Sequence, residues 1–167
     1  ECCDKTTEEV VGLLLELDTE NFAAREKDKQ GNLVIHSLIE KEGVPNAKLI
    51  MMLADIYPEG LAIKDRDGNL PIHSAIERGD KMRVEVISKL LNGFPGATKK
   101  HDKDKNLPLH CAFHCLQSHL VEVASLLVSV DGESVAEPSK QLGLLLHWAC
   151  SNLKPVELIR AMVQANP

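Results

Sequence analysis

Apolar residues recur along the chain at the spacing of short amphipathic helices. Ile72, Ala75 and Ile76 stand at positions i, i+3 and i+4, which places them on one face of a helix. Pro71 fits the first turn of that helix, where its missing N–H would have no partner within the helix. Gly79-Asp80 then interrupts the apolar pattern. The pattern therefore predicts a helix of about two turns.

A second apolar stripe follows the interruption. The string V-I-S-K-L-L at 86–91 carries four apolar residues on one face and predicts a second helix. This helix should end before Phe94-Pro95, because the residue before a proline avoids the helical conformation. The pairs Tyr57-Pro58 and Asn166-Pro167 predict the same helix end in other parts of the chain. The sequence thus predicts pairs of short helices.

The helix pairs recur because the chain repeats a nine-residue string. D-R-D-G-N-L-P-I-H at 65–73 appears as D-K-Q-G-N-L-V-I-H at 28–36 and as D-K-D-K-N-L-P-L-H at 102–110. A weaker copy, S-K-Q-L-G-L-L-L-H, occupies 139–147. The closing histidines are 37 residues apart: His36, His73, His110 and His147. A constant period of this size indicates an array of stacked units.

This period predicts the division of the chain. We expect one repeat array over 1–167, with a partial repeat at 1–27, full repeats at 28–64, 65–101 and 102–138, and a shortened last repeat at 139–167. Neither helix of a unit can bury its apolar face alone, so we expect each unit to stack on the next. The polar segments between units are predicted to be solvated loops.

Composition narrows the possible functions. The chain is 44% apolar and 26% charged, as is usual for a folded protein. Its 25 acidic and 19 basic residues give a net charge of −6, which argues against nucleic acid as a partner. No apolar run approaches the ~20 residues of a membrane span, so we expect no membrane insertion. The five cysteines lack a disulfide spacing and favour a reducing intracellular compartment, with the cytoplasm as the default.

The recurring strings resemble a known repeat family. P-I-H-S-A at 71–75 and P-L-H-C-A at 108–112 are similar to the T-P-L-H-x-A motif of ankyrin repeats, and D-x-x-G at 65–68 and Gly79 support the match. The resemblance implies an all-α fold: an α-solenoid of ankyrin-like helix-turn-helix repeats with polar connecting loops or short hairpin fingers. It also implies protein binding through the fingers and a concave face, without catalytic residues or a cofactor.

The chain departs from the family pattern in its period, in the threonine of the motif and in the fourth unit, which has lost the loop glycine and the asparagine. Its period is 37 residues rather than 33, and the additional residues fall after the second helix, around Y-P-E-G-L-A-I-K at 57–64. The threonine of the motif is leucine in every unit: Leu33, Leu70, Leu107 and Leu144. Leucine cannot cap a helix, so we expect the asparagine before it to take that role in the three units where it is present.

The resemblance also predicts the contact residues. We expect a scaffold that binds another protein, or another domain of the same polypeptide, as part of a longer array or multidomain protein. The predicted finger contacts are Lys29, Gln30, Asn32, Arg66, Asp67, Asn69, Lys103, Asp104 and Asn106. The ends of the first helices add Glu40, Lys41, Glu77, Arg78, His114, Cys115, Ser151 and Asn152. A basic column of Lys29, Arg66, Lys103 and Lys140 is expected to orient an acidic segment of the partner.

The distribution of histidine and cysteine residues suggests an alternative function. Four histidines at equal intervals would stand roughly 10 Å apart, too far to share a metal ion, so we expect a structural role for them. The string H-C-A-F-H-C-L-Q-S-H at 110–119 suggests instead a metal- or redox-sensing module centred on His114 and Cys115. The repeat register assigns His110 and Cys111 to columns that stack between units, so no metal site is predicted. The standard catalytic motifs for phosphate, acyl and zinc chemistry are not found, and we do not expect an enzyme.

Overall fold

The computed structural model describes residues 22–139, 142–152 and 154–165. Over these residues the protein is helical and contains no β-strand, which confirms the all-α prediction. The helices are α1 (Phe22–Arg25), α2 (Val34–Glu40), α3 (Ala47–Ile56), α4 (Pro71–Glu77), α5 (Val84–Gly93), α6 (Pro108–Cys115), α7 (Leu120–Val130), α8 (Leu145–Ser151) and α9 (Val156–Ala165). The predicted partial repeat lies almost entirely outside the described residues. The helices of the described part are all too short or too polar to cross a membrane.

The helices pack in two parallel series. In one series α2 packs on α4 and α4 on α6, and in the other α3 packs on α5, α5 on α7 and α7 on α9. Within each predicted unit the first helix also packs on the second. The core therefore runs along the chain direction between the two series.

The predicted apolar stripes face this core. Helix α5 ends at Gly93, directly before Phe94-Pro95, and buries Val86, Ile87, Leu90 and Leu91. Helix α4 begins at Pro71 and buries Ile72, Ala75 and Ile76. Both helices match the sequence prediction, because the spacing of apolar residues and the position of proline act locally.

The residues that lengthen the period form short 3-10 helices. These follow the second helices at Pro58–Ala62, Pro95–Lys99 and Gly132–Ala136, and one residue separates each from the preceding α-helix. Each buries an apolar side chain: Leu61, Ala97 or Val135. The sequence predicts a solvated loop between units, and the structure corrects this prediction for the first part of the segment.

Residues 28–32, 65–69 and 102–106 each form a hairpin-like turn, and we call these turns the fingers. The Oδ1 atom of Asp65 accepts hydrogen bonds from the backbone N–H groups of Asp67 and Asn69, at 2.9 and 2.8 Å. Asp28 and Asp102 make the same pair of bonds in the other fingers. The aspartate side chain is thus turned inward, as expected for a residue that starts such a turn.

The last unit differs from the three before it. Leu33, Leu70 and Leu107 are at most 2% exposed, whereas Leu144 in the same column is 41% exposed. Helix α8 packs mainly on α9 and on the 3-10 helix Gly132–Ala136. The start of the last helix pair is therefore less covered than its counterparts.

Candidate functional site

Three of the recurring histidines join segments that lie far apart in the sequence: His36, His73 and His110. In each, Nδ1 accepts the backbone N–H of the leucine that precedes the first helix, at 3.1, 3.2 and 3.1 Å. The opposite ring nitrogen, Nε2, then carries the proton and donates to a backbone carbonyl 27 residues later. These pairs are His36–Ile63 at 3.2 Å, His73–Lys100 at 3.0 Å and His110–Glu137 at 2.9 Å.

These three histidines are structural, as predicted. They are at most 2% exposed, and burial lowers the pKa of His36, of His110 and of His73, the last to about 4. A neutral ring is required, because a protonated Nδ1 could not accept the leucine N–H. His147 departs from the prediction: it is exposed, and the described residues give it no equivalent bond.

The finger asparagines join units instead of capping helices. Asn32 Oδ1 accepts the backbone N–H of Arg66 at 3.1 Å, and Asn69 Oδ1 accepts that of Lys103 at 3.3 Å. The predicted capping role is therefore wrong, since the histidine ring takes the N–H at the helix start. Asn32 and Asn69 are only 4% and 3% exposed, which leaves them little surface to offer a partner. Asn106, which is half-buried, accepts the hydroxyl of Ser139 at 3.2 Å.

The other predicted finger residues lie at the surface. Arg66 Nη1 donates to the side-chain oxygen of Gln30 in the preceding finger at 2.8 Å, and its Nε pairs with Asp67 at 3.4 Å. The exposed positions are Lys29, Gln30, Arg66, Asp67, Lys103 and Asp104. Lys140, the fourth member of the basic column, lies outside the described residues. The finger tips thus form a polar edge with both signs of charge.

The ends of the first helices are also at the surface. The exposed positions are Glu40, Lys41, Glu77, His114, Ser151 and Asn152, while Arg78 and Cys115 are half-buried. Arg78 donates from Nη2 to the backbone carbonyls of Lys41 and Gly43, at 3.0 and 2.8 Å. Because this guanidinium is bonded to the preceding unit, it stabilises the edge rather than offering a contact to a partner.

A pocket of about 120 Å³ lies where α4, the finger of 102–106 and α6 meet. Its walls include Glu77, Asp102, Cys111, His114 and Cys115. One ligand atom from each of Glu77, Asp102 and Cys111 lies within 4.8 Å of the others. The Sγ atom of Cys111 donates to Oδ2 of Asp102 at 3.5 Å.

The pocket keeps its thiols protonated. Burial raises the pKa of Cys111 and of Cys115, and the charges of Glu77 and Asp102 act in the same direction. Burial also raises the pKa of Glu77, although Lys103 opposes this effect. For Asp102 burial is outweighed by hydrogen bonds, chiefly from Asn106, so its pKa is lowered. These thiols are therefore poor nucleophiles at neutral pH, which argues against cysteine catalysis in the pocket.

The structure and the sequence prediction select different residues for metal chemistry. The sequence alternative is centred on His114 and Cys115 and assigns Cys111 to a stacking column. The structure brings Cys111 together with Glu77 and Asp102, while His114 and Cys115 line the same pocket. Glu77 belongs to the preceding unit, and its equivalents in the register are Glu40 and His114. Comparing adjacent units in the register, rather than one helix, would have revealed this cluster.

Comparison with known proteins gives no assignment: the chain matches no protein-family model and no curated protein.

Proposed function

We propose that this chain is an ankyrin-like solenoid that binds another protein along the edge formed by its fingers and by the ends of its first helices. The partner is a separate protein or another domain of the same polypeptide. The chain acts as a rigid scaffold, and no chemical step is part of this function.

Hydrogen bonds that recur at constant separations in the sequence support this proposal. Three histidines donate to a carbonyl 27 residues later, and two asparagines accept a backbone N–H 34 residues later. Bonds that return at a constant separation are what a stack of equivalent units requires, because each unit meets its neighbour in the same way. Such a stack holds its surface residues at fixed mutual distances.

The rigidity of the fingers favours binding. The finger of residues 65–69 is fixed by the Asp65 carboxylate from within and by the Asn32 amide from the preceding unit. A backbone that is already fixed loses little further conformational freedom when a partner docks, which reduces the entropic cost of binding. The edge carries acidic, basic and amide groups, as the rim of a protein interface does.

Position-resolved crosslinking tests the proposal. A photoreactive residue is placed at Asp67 on a finger tip or at Glu40 on a first-helix end, and matched control residues are Lys48 on α3 and Glu122 on α7. All four positions are exposed. We expect one partner species to be captured from the edge positions and not from the controls. Equal capture from both sets, or capture from the controls alone, would contradict the proposed edge.

A further inference from the structure

The pocket between the second and third full units gathers metal-ligating side chains from three elements. Glu77 comes from the end of α4, Asp102 from the finger and Cys111 from α6. Asp102 and Cys111 are 7% and 5% exposed, whereas Glu77 lies at the open side of the pocket. Three ligands that converge from separate parts of the chain form a site only when the fold is complete.

The geometry of the buried pair fits a zinc ion. Ligand sulfur and oxygen atoms bound at about 2.3 and about 2.0 Å in a tetrahedral zinc site are about 3.5 Å apart. The Cys111 Sγ and Asp102 Oδ2 atoms are separated by 3.5 Å. In the metal-free protein the thiol proton lies between them. An ion can replace this proton without separating the two side chains. A rotation of the Glu77 side chain can bring its carboxylate to the same ion, since its nearest oxygen lies within 4.8 Å of both ligand atoms.

The pocket carries negative charge from Glu77 and Asp102, which the charge of Lys103 offsets in part. Neither Glu77 nor Asp102 forms a salt bridge with another described residue. Two carboxylates beside two thiols share about 120 Å³ of space. A divalent cation would offset the repulsion of the carboxylates and stabilise the deprotonated thiol.

The preceding unit shows the same framework without thiols. Positions 37 residues earlier hold Glu40, Asp65, Ser74 and Arg78 in place of Glu77, Asp102, Cys111 and Cys115. Ser74 Oγ and Asp65 Oδ2 are buried there without a hydrogen-bond partner among the described residues. Zinc in proteins is bound by cysteine, histidine and carboxylates, not by serine hydroxyls. The later pocket therefore has the donor set that the earlier one lacks.

We propose that Glu77, Asp102 and Cys111 bind a divalent thiophilic cation of the zinc class, with a fourth coordination position facing the part of the pocket that Cys115 borders. When the ion binds, Cys111 releases its thiol proton to the solvent and its sulfur forms the bond to the metal. The oxidation states of the sulfur and of the metal do not change. The ion connects α4 of one unit to α6 of the next and so stabilises their junction.

Cobalt(II) titration of the metal-free chain tests this site, because thiolate–cobalt bonds give a charge-transfer absorption band. The parent carries Cys2→Ser and Cys3→Ser, since thiols outside the described residues could also bind the metal. Cys111→Ser reproduces the serine present at Ser74, so it should fold. Cys150→Ser is the matched control, because Cys150 is exposed and does not line the pocket.

We expect the parent and the Cys150→Ser variant to bind one cobalt ion per chain with the thiolate band, and zinc to displace it. Cys111→Ser should lose the band and bind at least ~10-fold more weakly, since even the loss of a supporting hydrogen bond around a metal costs ~10–100-fold. Glu77→Gln should keep the band and bind at least ~10-fold more weakly. Zinc should raise the melting temperature of the parent but not that of Cys111→Ser. The proposal is wrong if the parent shows no thiolate band, or if the band persists in Cys111→Ser.

Discussion

The Nε2 atom of His73 lies 3.0 Å from the backbone carbonyl oxygen of Lys100, although 27 residues separate them in the sequence. The other ring nitrogen accepts the N–H of Leu70 at 3.2 Å. One buried imidazole thus fixes both the start of α4 and the segment that enters the next finger. Because the bond from Leu70 needs an unprotonated Nδ1, the junction depends on pH.

Acid should destabilise the array through these histidines. Burial lowers the pKa of His73 from 6.5 to about 4. Between these values the unfolded chain binds more protons than the folded chain, so stability that is present above pH 6.5 is lost as the pH falls to about 4. For His73 alone the loss is on the order of 3 kcal/mol. The free energy of unfolding, measured by urea denaturation from pH 7 to pH 4, should therefore decrease.

Two variants isolate the histidine contribution from that of other groups. His73→Gln should be less stable than the parent at pH 7 but should lose less stability between pH 7 and pH 4. His147→Gln is the matched control and should change the stability at pH 7 little, because His147 is exposed. An unchanged pH dependence in His73→Gln would show that this ring does not control acid stability.

Leu90 should stabilise its own unit and the two neighbouring units. It is 2% exposed, and its helix α5 packs on both α3 and α7. We expect Leu90→Ala to cost ~2–5 kcal/mol, from lost transfer energy and the cavity left behind. Amide hydrogen exchange should increase mainly in α3, α5 and α7, because coupling in an array acts between neighbours.

Val44→Ala serves as the control for Leu90→Ala, because Val44 is exposed, and it should change stability by less than ~0.5 kcal/mol. An equal increase in exchange throughout the chain would contradict the stacked arrangement.

Lys105 is strained at a position where the other fingers use glycine. Its φ is 66°, and Gly31 and Gly68 in the same column have φ of 90° and 88°. The left-handed conformation costs a residue with a side chain ~1–2 kcal/mol. Glycine avoids this cost, but it loses more chain entropy on folding, which cancels part of the gain. We expect Lys105→Gly to stabilise the protein by up to ~1 kcal/mol in chemical denaturation. Gly68→Ala should destabilise it by ~1 kcal/mol without a steric clash, since no atom lies within 4 Å of the added Cβ. If both substitutions were neutral, finger strain would not contribute to stability.

Local patterns were sufficient to predict the helices. The apolar stripe of α5 and the prolines at its end and at the start of α4 act within a few residues, so the sequence predicts these helices well. The 3-10 helices were missed because their single buried side chains, such as Leu61 and Ala97, have no periodicity. The hydrogen bonds from each finger aspartate to its own backbone are local, as is usual for aspartate at the start of such a turn.

Contacts between units were harder to predict. The sequence assigned Asn32 to helix capping because it precedes the helix, but its amide reaches Arg66 in the next finger. The cluster of Glu77, Asp102 and Cys111 was missed for the same reason, since it spans two units. The repeat period shows that such interfaces recur but does not say which atoms meet across them.

The basic column that the repeat register predicts comprises Lys29, Arg66, Lys103 and Lys140. The three members that the structure describes are exposed at the finger tips, whereas Asp65 and Asp102 beside them are buried. The outward charge of the tips is therefore basic, although the exposed Asp28, Asp67 and Asp104 offset part of it. We expect this column to attract an acidic segment of the partner and to increase the association rate rather than the final affinity.

Replacing all four basic residues with glutamate should change the melting temperature little, because exposed charges contribute little to stability. Association with a partner captured at the edge should slow strongly at ~0.01 M salt, where the screening length is ~30 Å, and much less at ~1 M, where it is ~3 Å. The matched control reverses four exposed basic residues elsewhere, at Lys48, Lys81, Arg83 and Arg160, and so has the same net charge. If both variants slow association equally at low salt, the effect is that of net charge and the column has no specific role. Slower association only in the finger variant would mean that the basic tips guide the partner onto the edge.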